Sequence, residues 1–424
     1  MLTLYLCLGY LIAPLAFSRE LWRGLFDRSH WRGLPERFGF GPPARPRGLW
    51  VHAVSVGEVQ AAAPLVRALK HRYPELPLLV TTSTATGRAR AEHLYAGQAT
   101  VRYLPYDLPG ATRRFLERVD PKVGVLLETE LWPNLYRACA QDGIPLVLAS
   151  ARVSARSVAR YQKAGDLFTR TLKDGVRVAA QTTTDAARFV ALGVDRTRVE
   201  VCGNLKFDHE PPPGLFADGA ALRERLGEPR PVWVAGSTHA GEEETLLDAH
   251  ARLRSRTDGA LLVLAPRHPP RFEAVAGLLA RRGIVFARRS TGSPVRPETS
   301  VVLLDTLGEL TTFYAAGDIA FVGGSLVPIG GHNLLEPAAL GRATLTGPYT
   351  GNAPAIAALL IEAGGLKVVK DANEIDRWLA AWFGNPEAAA RIGNKARAVI
   401  AANRGALEKV LAIIAPLARG EAPR

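Results

Sequence analysis

Residues 48–73 read GLWVHAVSVGEVQAAAPLVRALKHRY, a short apolar run followed directly by an amphipathic one. The first run is typical of a buried strand, and the second has the spacing of a helix. Similar strand-like runs follow at 76–84, 99–107, 123–130, 144–150, 176–182 and 199–207. Strands that alternate with helices predict a parallel sheet covered on both faces.

The alternation stops at DHEPPPG (208–214), whose prolines and glycine predict a linker. It restarts with runs at 231–237, 259–267, 283–289, 300–306, 317–325, 343–348 and 365–369, and the tail has helical spacing. The fold class is therefore α/β, with domains at 21–207 and 221–424 joined by a linker at 208–220. Since parallel sheets bind ligands beyond the carboxyl ends of their strands, we expect a central cleft between the two domains.

The composition is that of a globular and basic protein. Of the 424 residues, 47% are apolar and 22% charged, which excludes a disordered or collagenous chain. Lysine and arginine number 53 against 40 acidic residues, a net charge of +13. This excess of positive charge suits the binding of nucleic acid, anionic lipid or anionic substrates. The alternative is that the basic residues only form a solvated surface. Arginines dispersed over helices, with aromatic residues mostly in apolar runs, disfavour nucleic acid.

The amino terminus predicts a membrane anchor. Residues 1–17 carry no charge, and basic residues such as Arg19 and Arg23 follow at once. We therefore expect an uncleaved anchor over residues 1–20, with the rest of the chain on the cytoplasmic side. The short length and Pro14 leave a second option, a helix in the membrane interface or packed on a partner. The chain's three scattered cysteines have neither disulfide-framework nor metal-ligand spacing and indicate a reducing compartment.

Acidic and basic side chains follow several strands of the first domain. Glu58 stands in a first helical turn, where it can act as a general base or complement the helix dipole. Glu128 and Glu130 follow another strand, whose alternation would project both carboxylates to one side. Like charges so close would raise the pKa of one of them unless a cation lies nearby; the alternative is that one has a structural role. Lys206 follows the last strand. Its ammonium group can bind a phosphate or a carboxylate; the alternative is an ordinary surface lysine.

The second domain offers candidate anion sites at its strand ends. GSTHAGEEE (236–244) is a small-residue turn that opens a helix. Arg267 ends a strand and can hold a phosphate in a fork. Gly308 and Glu309 follow the next strand and enter a helix.

The strongest run is FVGGSLVPIGGHNLLEPAALGRATLTGP (321–348). Gly323-Gly324 and Gly330-Gly331 predict backbone amides that reach a phosphate. Asn333 opens a helix, and Glu336 in its first turn can accept both hydroxyls of a ribose. Neither GxxxxGK[ST] nor GxGxxG after a first strand is present, which argues against a P-loop ATPase and an ordinary NAD dehydrogenase. Without a metal-ligand cluster or a DxD-type pair, we expect metal-independent chemistry and no cofactor.

Nine motifs, in order, resemble the 3-deoxy-D-manno-oct-2-ulosonic acid (Kdo) transferases of lipid A biosynthesis over nearly the whole chain. They are VSVGE (54–58), TTSTATG (81–87), YLPYDLP (103–109), ETELWPN (128–134), ASARVSARS (149–157), GNLKFD (203–208), PRHPPRF (266–272), DTLGEL (305–310) and FVGGSLVPIGGHNLLEPA (321–338). The resemblance implies a GT-B glycosyltransferase of two Rossmann-like domains, the first for the acceptor and the second for the nucleotide donor. It implies transfer of Kdo from CMP-Kdo to the lipid A precursor (lipid IVA), with release of CMP, at the cytoplasmic face of the inner membrane.

The resemblance also assigns roles to residues. Glu58 is the expected catalytic base, with Glu128 and Lys206 supporting an inverting transition state. CMP contacts are expected from Pro266, Arg267, Leu307, Gly308, Glu309, Asn333, Leu334, Leu335 and Glu336. The expected partners are CMP-Kdo, the lipid A precursor and the anionic membrane surface, and the roles of His268 and His332 stay undecided. The rival enzyme is another sugar-nucleotide enzyme of this architecture, such as a uridine-linked epimerase or glucosyltransferase; the non-enzyme rival is a basic binding module for membrane or nucleic acid.

Overall fold

The computed structural model describes residues 2–26, 28, 31–163, 165–173 and 176–421. It divides the chain into two compact units, residues 1–209 together with 403–424, and residues 210–402. Met1 of the predicted anchor and residues 422–424 of the predicted second domain lie outside the described residues. Both units are α/β, as the alternating runs predicted.

The first unit contains seven strands: β1 (Leu49–His52), β2 (Leu78–Thr82), β3 (Thr100–Tyr103), β4 (Val123–Leu127), β5 (Leu146–Ala151), β6 (Val176–Ala180) and β7 (Val199–Val201). They form one parallel sheet in the order β3-β2-β1-β4-β5-β6-β7. The strand order therefore reverses between β1 and β4. The loops after these two strands diverge, and such a reversal is where α/β sheets bind ligands.

The helices of this part of the chain are α1 (Leu2–Phe26), α2 (Val56–Arg72), α3 (Ala85–Leu94), α4 (Pro109–Val119), α5 (Pro133–Gln141), α6 (Ala155–Lys163), α7 (Asp166–Lys173) and α8 (Thr183–Ala191). Successive residues of β1 enter two different cores, Leu49 and Val51 on one face of the sheet and Trp50 on the other. Both faces are thus buried, which explains why these strands are continuous apolar runs.

The second unit repeats this plan with β8 (Val232–Thr238), β9 (Leu261–Pro266), β10 (Phe286–Arg288), β11 (Val301–Leu303), β12 (Ile319–Val322), β13 (Ala343–Thr346) and β14 (Leu366–Val368). The order is β10-β11-β9-β8-β12-β13-β14, so this sheet reverses between β8 and β12. Its helices are α9 (Leu215–Leu226), α10 (Glu242–Arg254), α11 (Phe272–Arg281), α12 (Leu310–Ala316), α13 (Leu335–Ala339), α14 (Pro354–Glu362), α15 (Ala372–Gly384) and α16 (Pro386–Asn403). Every strand of both sheets falls in a predicted strand-like run, and only β5 and β8 extend beyond it, each by one residue.

The last helix, α17 (Ala406–Arg419), belongs to the first unit and corrects the predicted domain boundary. Its apolar face lies in the same buried core as α2. The carboxylate of Asp208 accepts the backbone N–H groups of Gly405 and Leu407 at 2.6 and 2.7 Å. The predicted second domain 221–424 therefore ends near residue 402, and α9 takes the second half of the predicted linker 208–220.

The structure also corrects the anchor predicted for residues 1–20. α1 continues past that range to Phe26, and its charged Glu20 is buried. Near its other end the Tyr5 hydroxyl donates to the Asp107 carboxylate at 2.7 Å, so the helix docks on the first unit. Among the residues that the structure describes, no helix has both the length and the apolar character needed to cross a bilayer.

Candidate active site

Glu58 lies at the reversal point of the first sheet. β1 ends at His52 and α2 begins at Val56, so Glu58 stands in the first turn of that helix. Its Oε2 accepts the backbone N–H of Val54 at 2.6 Å. Its Oε1 has no hydrogen-bond partner in the described part of the chain, so one carboxyl oxygen remains for a substrate.

Burial raises the pKa of Glu58 to about 7. The Val54 hydrogen bond lowers the pKa, Glu128 raises it further, and the positive charges of Lys206 and Arg152 lower it. A base is most effective when its pKa lies near the operating pH, since it is then ionised when free and still able to take a proton. The structure thus brings the three predicted catalytic residues together and gives one of them the pKa of a general base.

Glu128 is held between two cations. Nζ of Lys206 donates to its Oε1 at 2.7 Å, and Nε of Arg152 donates to its Oε2 at 2.9 Å, with Nη2 of Arg152 in an ion pair 2.8 Å from the same oxygen. Burial alone would raise the pKa of Glu128, but the two cations outweigh it and hold the pKa below its usual range. Glu128 is therefore an anion at neutral pH that fixes the Lys206 ammonium in place.

The carboxylates of Glu128 and Glu130 do not project from one strand as predicted. β4 ends at Leu127, and Glu128 has a left-handed backbone conformation with φ of 59°, so the alternation of a strand no longer applies. Glu130 instead accepts the indole N–H of Trp132 at 2.8 Å. Burial, followed by the charge of Glu58, raises the pKa of Glu130 to about 8. The predicted cause, repulsion between the two carboxylates, is the smallest contribution to the raised pKa of Glu130, because Lys206 and Arg152 neutralise Glu128.

Lys206 is positioned by a short 3₁₀ turn, Leu205–Asp208, beyond β7. The Asn204 side chain accepts the backbone N–H of Lys206 at 3.0 Å. The hydroxyl of Ser150, at the end of β5, accepts the N–H of Leu205 at 2.9 Å. The loops after β5 and β7 are thereby joined, and each supplies one cation to the same carboxylate.

In the second unit, Pro266 ends β9 and the half-buried Arg267 follows it. The backbone N–H of Arg267 donates to the carbonyl of Thr238 at 2.9 Å, which ties the ends of β8 and β9 together. Over the described ranges the Arg267 guanidinium has no ion-pair partner. It is therefore free to hold a phosphate, the role expected of it.

The predicted contacts at Leu307, Gly308 and Glu309 form the turn before α12. Leu307 is 69% exposed, and Gly308 has a φ of 88° that favours glycine. The Glu309 carboxylate accepts Nη2 of Arg289 at 2.6 Å and also the hydroxyl of Thr306. Since its carboxylate is already paired, the turn is better suited to contact a nucleotide through its backbone.

Asn333 and Glu336 are linked at the start of α13. Oδ1 of Asn333 accepts the backbone N–H of Leu335 at 3.1 Å, and its Nδ2 donates to Oε1 of Glu336 at 3.0 Å. Leu334 and Leu335 are buried beneath them. These contacts hold Glu336 at the helix start, and its part in binding a ribose stays a prediction.

Three of the four glycine amides predicted to reach a phosphate are used within the protein, and only that of Gly330 has no partner among the described residues. The fully buried carboxylate of Glu242 accepts four backbone N–H groups at 2.7–2.9 Å, from His239, Gly324, Ser325 and Leu326. The amides of Gly323 and Gly331 donate to backbone carbonyls. The anion predicted for the turn 236–244 is thus the protein's own Glu242, which braces the loop from within.

Two residues beside these sites were not singled out from the sequence. Arg152 pairs with Glu128, and His239 lies against the undecided His332. Both follow strands near a reversal of sheet order, β5 and β8. The position of His239 directly after a reversal strand marks it as a candidate, but that position is known only once the strand order is known.

Comparisons with known proteins give one family. The model of the family described as "3-Deoxy-D-manno-octulosonic-acid transferase (kdotransferase)" matches residues 32–209. The 3-deoxy-D-manno-octulosonic acid transferase of Haemophilus influenzae is 41% identical over 389 residues, 90% of this chain and 91% of that protein. The protein of the same name from Bordetella pertussis is 39% identical over 421 residues, 95% of this chain and 97% of its own. A crystal structure of UDP-N-acetylglucosamine 2-epimerase covers 90% of this chain and 99% of its own with a TM-score of 0.57; at 16% identity it shows the fold alone.

Proposed function

The chain belongs to the 3-deoxy-D-manno-octulosonic-acid transferase family and is a glycosyltransferase, and we propose that it transfers Kdo from CMP-Kdo to the lipid A precursor (lipid IVA) and releases CMP. The observation that carries this proposal is the position of Glu58, a carboxyl at the sheet reversal with one oxygen without a partner among the described residues, in surroundings whose burial raises its pKa to about 7. The proposed transfer inverts the anomeric configuration and uses cations of the protein to balance the donor's charge.

Glu58 acts as the general base in this reaction. It takes the proton from an acceptor hydroxyl as that oxygen forms a bond to the anomeric carbon of Kdo. The bond between that carbon and the phosphate oxygen breaks on the opposite face, so CMP leaves as an anion and the proton stays on Glu58. The transition state resembles an oxocarbenium ion, as in glycoside hydrolysis.

Each unit contributes a cation to this chemistry. Lys206, fixed by Glu128 at 2.7 Å, lies in the first unit, and Arg267 lies in the second. Fixed charges stabilise charge that develops in a transition state because they need no reorganisation as the reaction proceeds. We propose that these two residues support the departing cytidylate.

The proposed function predicts the mass increase of the acceptor, a whole number of Kdo residues. Purified chain incubated with CMP-Kdo and tetra-acylated lipid A precursor should yield CMP and an acceptor heavier by one or more Kdo residues, which mass spectrometry counts. CMP should raise the thermal unfolding midpoint, and UDP should not. Stabilisation by UDP together with no transfer of Kdo would favour the rival uridine-linked enzyme.

We also propose that the chain binds the cytoplasmic face of the inner membrane through one face of α1. Seven apolar side chains at helical spacing are 45–78% exposed: Leu8, Leu11, Ile12, Leu15, Trp22, Leu25 and Phe26. The opposite stripe contains Phe17 and Glu20, which are partly and fully buried against the first unit, and Tyr5 at the border of the two stripes is also partly buried. An apolar stripe beside a basic protein surface is typical of a helix that lies in the headgroup layer.

Serine at Leu11, Leu15 and Leu25 together is expected to weaken sedimentation with vesicles of anionic phospholipid at least about tenfold, because three large apolar contacts with the bilayer are lost. Activity on detergent-dispersed acceptor should persist. Deletion of residues 1–17 is a poorer test, since it would also remove the contact of Tyr5 with Asp107.

A matched control removes three exposed apolar side chains from the second unit, Phe216, Val285 and Ile361. Serine at these positions should leave vesicle binding unchanged. Equal sedimentation of the α1 variant and the wild type would count against the membrane-binding face.

A further inference from the structure

Three histidines meet at the carboxyl edge of the second sheet. His239 follows β8, His268 follows β9, and His332 lies in the loop after β12, three strands that are neighbours in the sheet. The Nε2 atoms of His239 and His332 are 2.8 Å apart in stacked rings, and the ring of His268 meets that of His239 edge-on at 5.2 Å. Because the strand order reverses between β8 and β12, the cluster stands where such sheets bind ligands.

The charged groups around the cluster are either positive or already paired. The carboxylate of Glu242 is fully buried and held by backbone N–H groups. Glu243 accepts both terminal nitrogens of Arg271 and the hydroxyl of Thr238. Arg267 has no such partner in the described ranges. A ligand that reaches the imidazoles therefore meets an available positive charge and no unpaired carboxylate.

The contact between His239 and His332 suits an anionic oxygen. No three His, Cys, Asp or Glu residues within the described part of the chain are arranged to hold a metal ion. Burial, followed by the charge of Arg267, lowers the pKa of His332 to about 4, so this ring is neutral. One imidazole now donates to the other. When the two Nε2 atoms move apart and one ring changes tautomer, both Nε2–H groups can donate to the same oxygen, with no net uptake of a proton.

We propose that His239, His268 and His332, beside the Arg267 that is expected to hold the phosphate, bind the carboxylate of the donor's sugar acid; this assignment rests on the proposed function, in which the donor is CMP-Kdo. His268 directly follows Arg267, and His332 directly precedes Asn333, both predicted nucleotide contacts. In CMP-Kdo the carboxylate and the phosphate oxygen are bonded to the same anomeric carbon. Side chains that hold the carboxylate must therefore lie beside those that hold the nucleotide, and they select against neutral sugars.

The test separates the affinity for the sugar acid from that for the nucleotide. In the full chain, His239→Asn and His332→Asn should each raise the KM of CMP-Kdo by about tenfold, the loss expected for one hydrogen bond to a charged group. The Ki of CMP, which lacks the carboxylate, should not change. His93→Asn, an exposed histidine of the first unit, is the control and should alter neither constant.

A further variant guards against loss of folding. His268 is exposed, and no hydrogen bond of its ring is present among the described residues, so His268→Asn should fold normally and still raise the KM of CMP-Kdo. An equal rise in the Ki of CMP would assign the cluster to the phosphate and overturn the proposal, as would three variants with unchanged KM. A wild-type chain that binds CMP but does not use CMP-Kdo would instead overturn the proposed function, and this assignment with it.

Discussion

Replacement of Glu58 by glutamine is expected to lower kcat by about 10²–10⁴-fold, the usual contribution of a positioned general base. Glutamine keeps a carbonyl oxygen that can accept the Val54 N–H, so the start of α2 should survive, but an amide cannot take the proton of the acceptor. The Ki of CMP should be unchanged, because all the predicted CMP contacts belong to the second unit. Steady-state kinetics with CMP-Kdo and detergent-dispersed acceptor measure both constants.

The pH dependence of kcat/KM provides a second measurement. The ionised carboxylate is the active form, and its pKa in the folded protein is about 7. The wild-type rate should therefore be full well above this pH and fall as the pH drops through it, whereas the glutamine variant should lack that fall. Glu75→Gln, an exposed position just after α2, is the matched control and should behave as the wild type. Near-normal turnover of Glu58→Gln would show that another group is the base.

Replacement of Lys206 by methionine is expected to lower kcat by about 10²–10³-fold, as loss of one group that stabilises developing charge commonly does. Methionine is unbranched and similar in length, and Arg152 still pairs with Glu128, so the buried carboxylate keeps a cation. Because the charge of Lys206 lowers the pKa of Glu58, its removal should also move the acid limb of the pH profile to higher pH.

Arg152→Met removes the other cation from the same carboxylate and serves as the comparison. The Arg152 side chain is 45% exposed and that of Lys206 25% exposed, so water compensates more readily for the loss of Arg152. We expect a smaller fall in kcat and a shift of the acid limb in the same direction. Equal losses of kcat in the two variants, with unchanged thermal unfolding midpoints, would mean that Lys206 acts only through the position of Glu128.

The strands could be predicted because each is a continuous apolar run bounded by turn residues. Even the short strands β10 and β14 lie within such runs. Their order in the sheets could not be predicted, because it depends on pairing between distant segments. β1, for example, pairs with both β2 and β4. The reversal points that position Glu58 and His239 therefore became visible only in the structure.

The candidate site was predictable to a similar degree. The three expected catalytic residues, Glu58, Glu128 and Lys206, lie together. The left-handed backbone of Glu128 was not predictable, because its conformation is fixed by contacts with other loops rather than by its neighbours in sequence. Glu242 illustrates the same limit. From sequence alone, a helix-start glutamate that faces solvent cannot be distinguished from one that accepts hydrogen bonds from a loop more than 80 residues away.

The docking of α17 bears on synthesis of the chain at the ribosome. The first unit contains the proposed base and the ion pair of Glu128 with Lys206, yet part of its core comes from residues translated after the entire second unit. The core of residues 1–209 is completed only by those last residues, whereas all seven strands of the second sheet lie within residues 210–402. A stop codon near residue 403 would therefore remove part of the core of the first unit and leave the second unit, residues 210–402, intact.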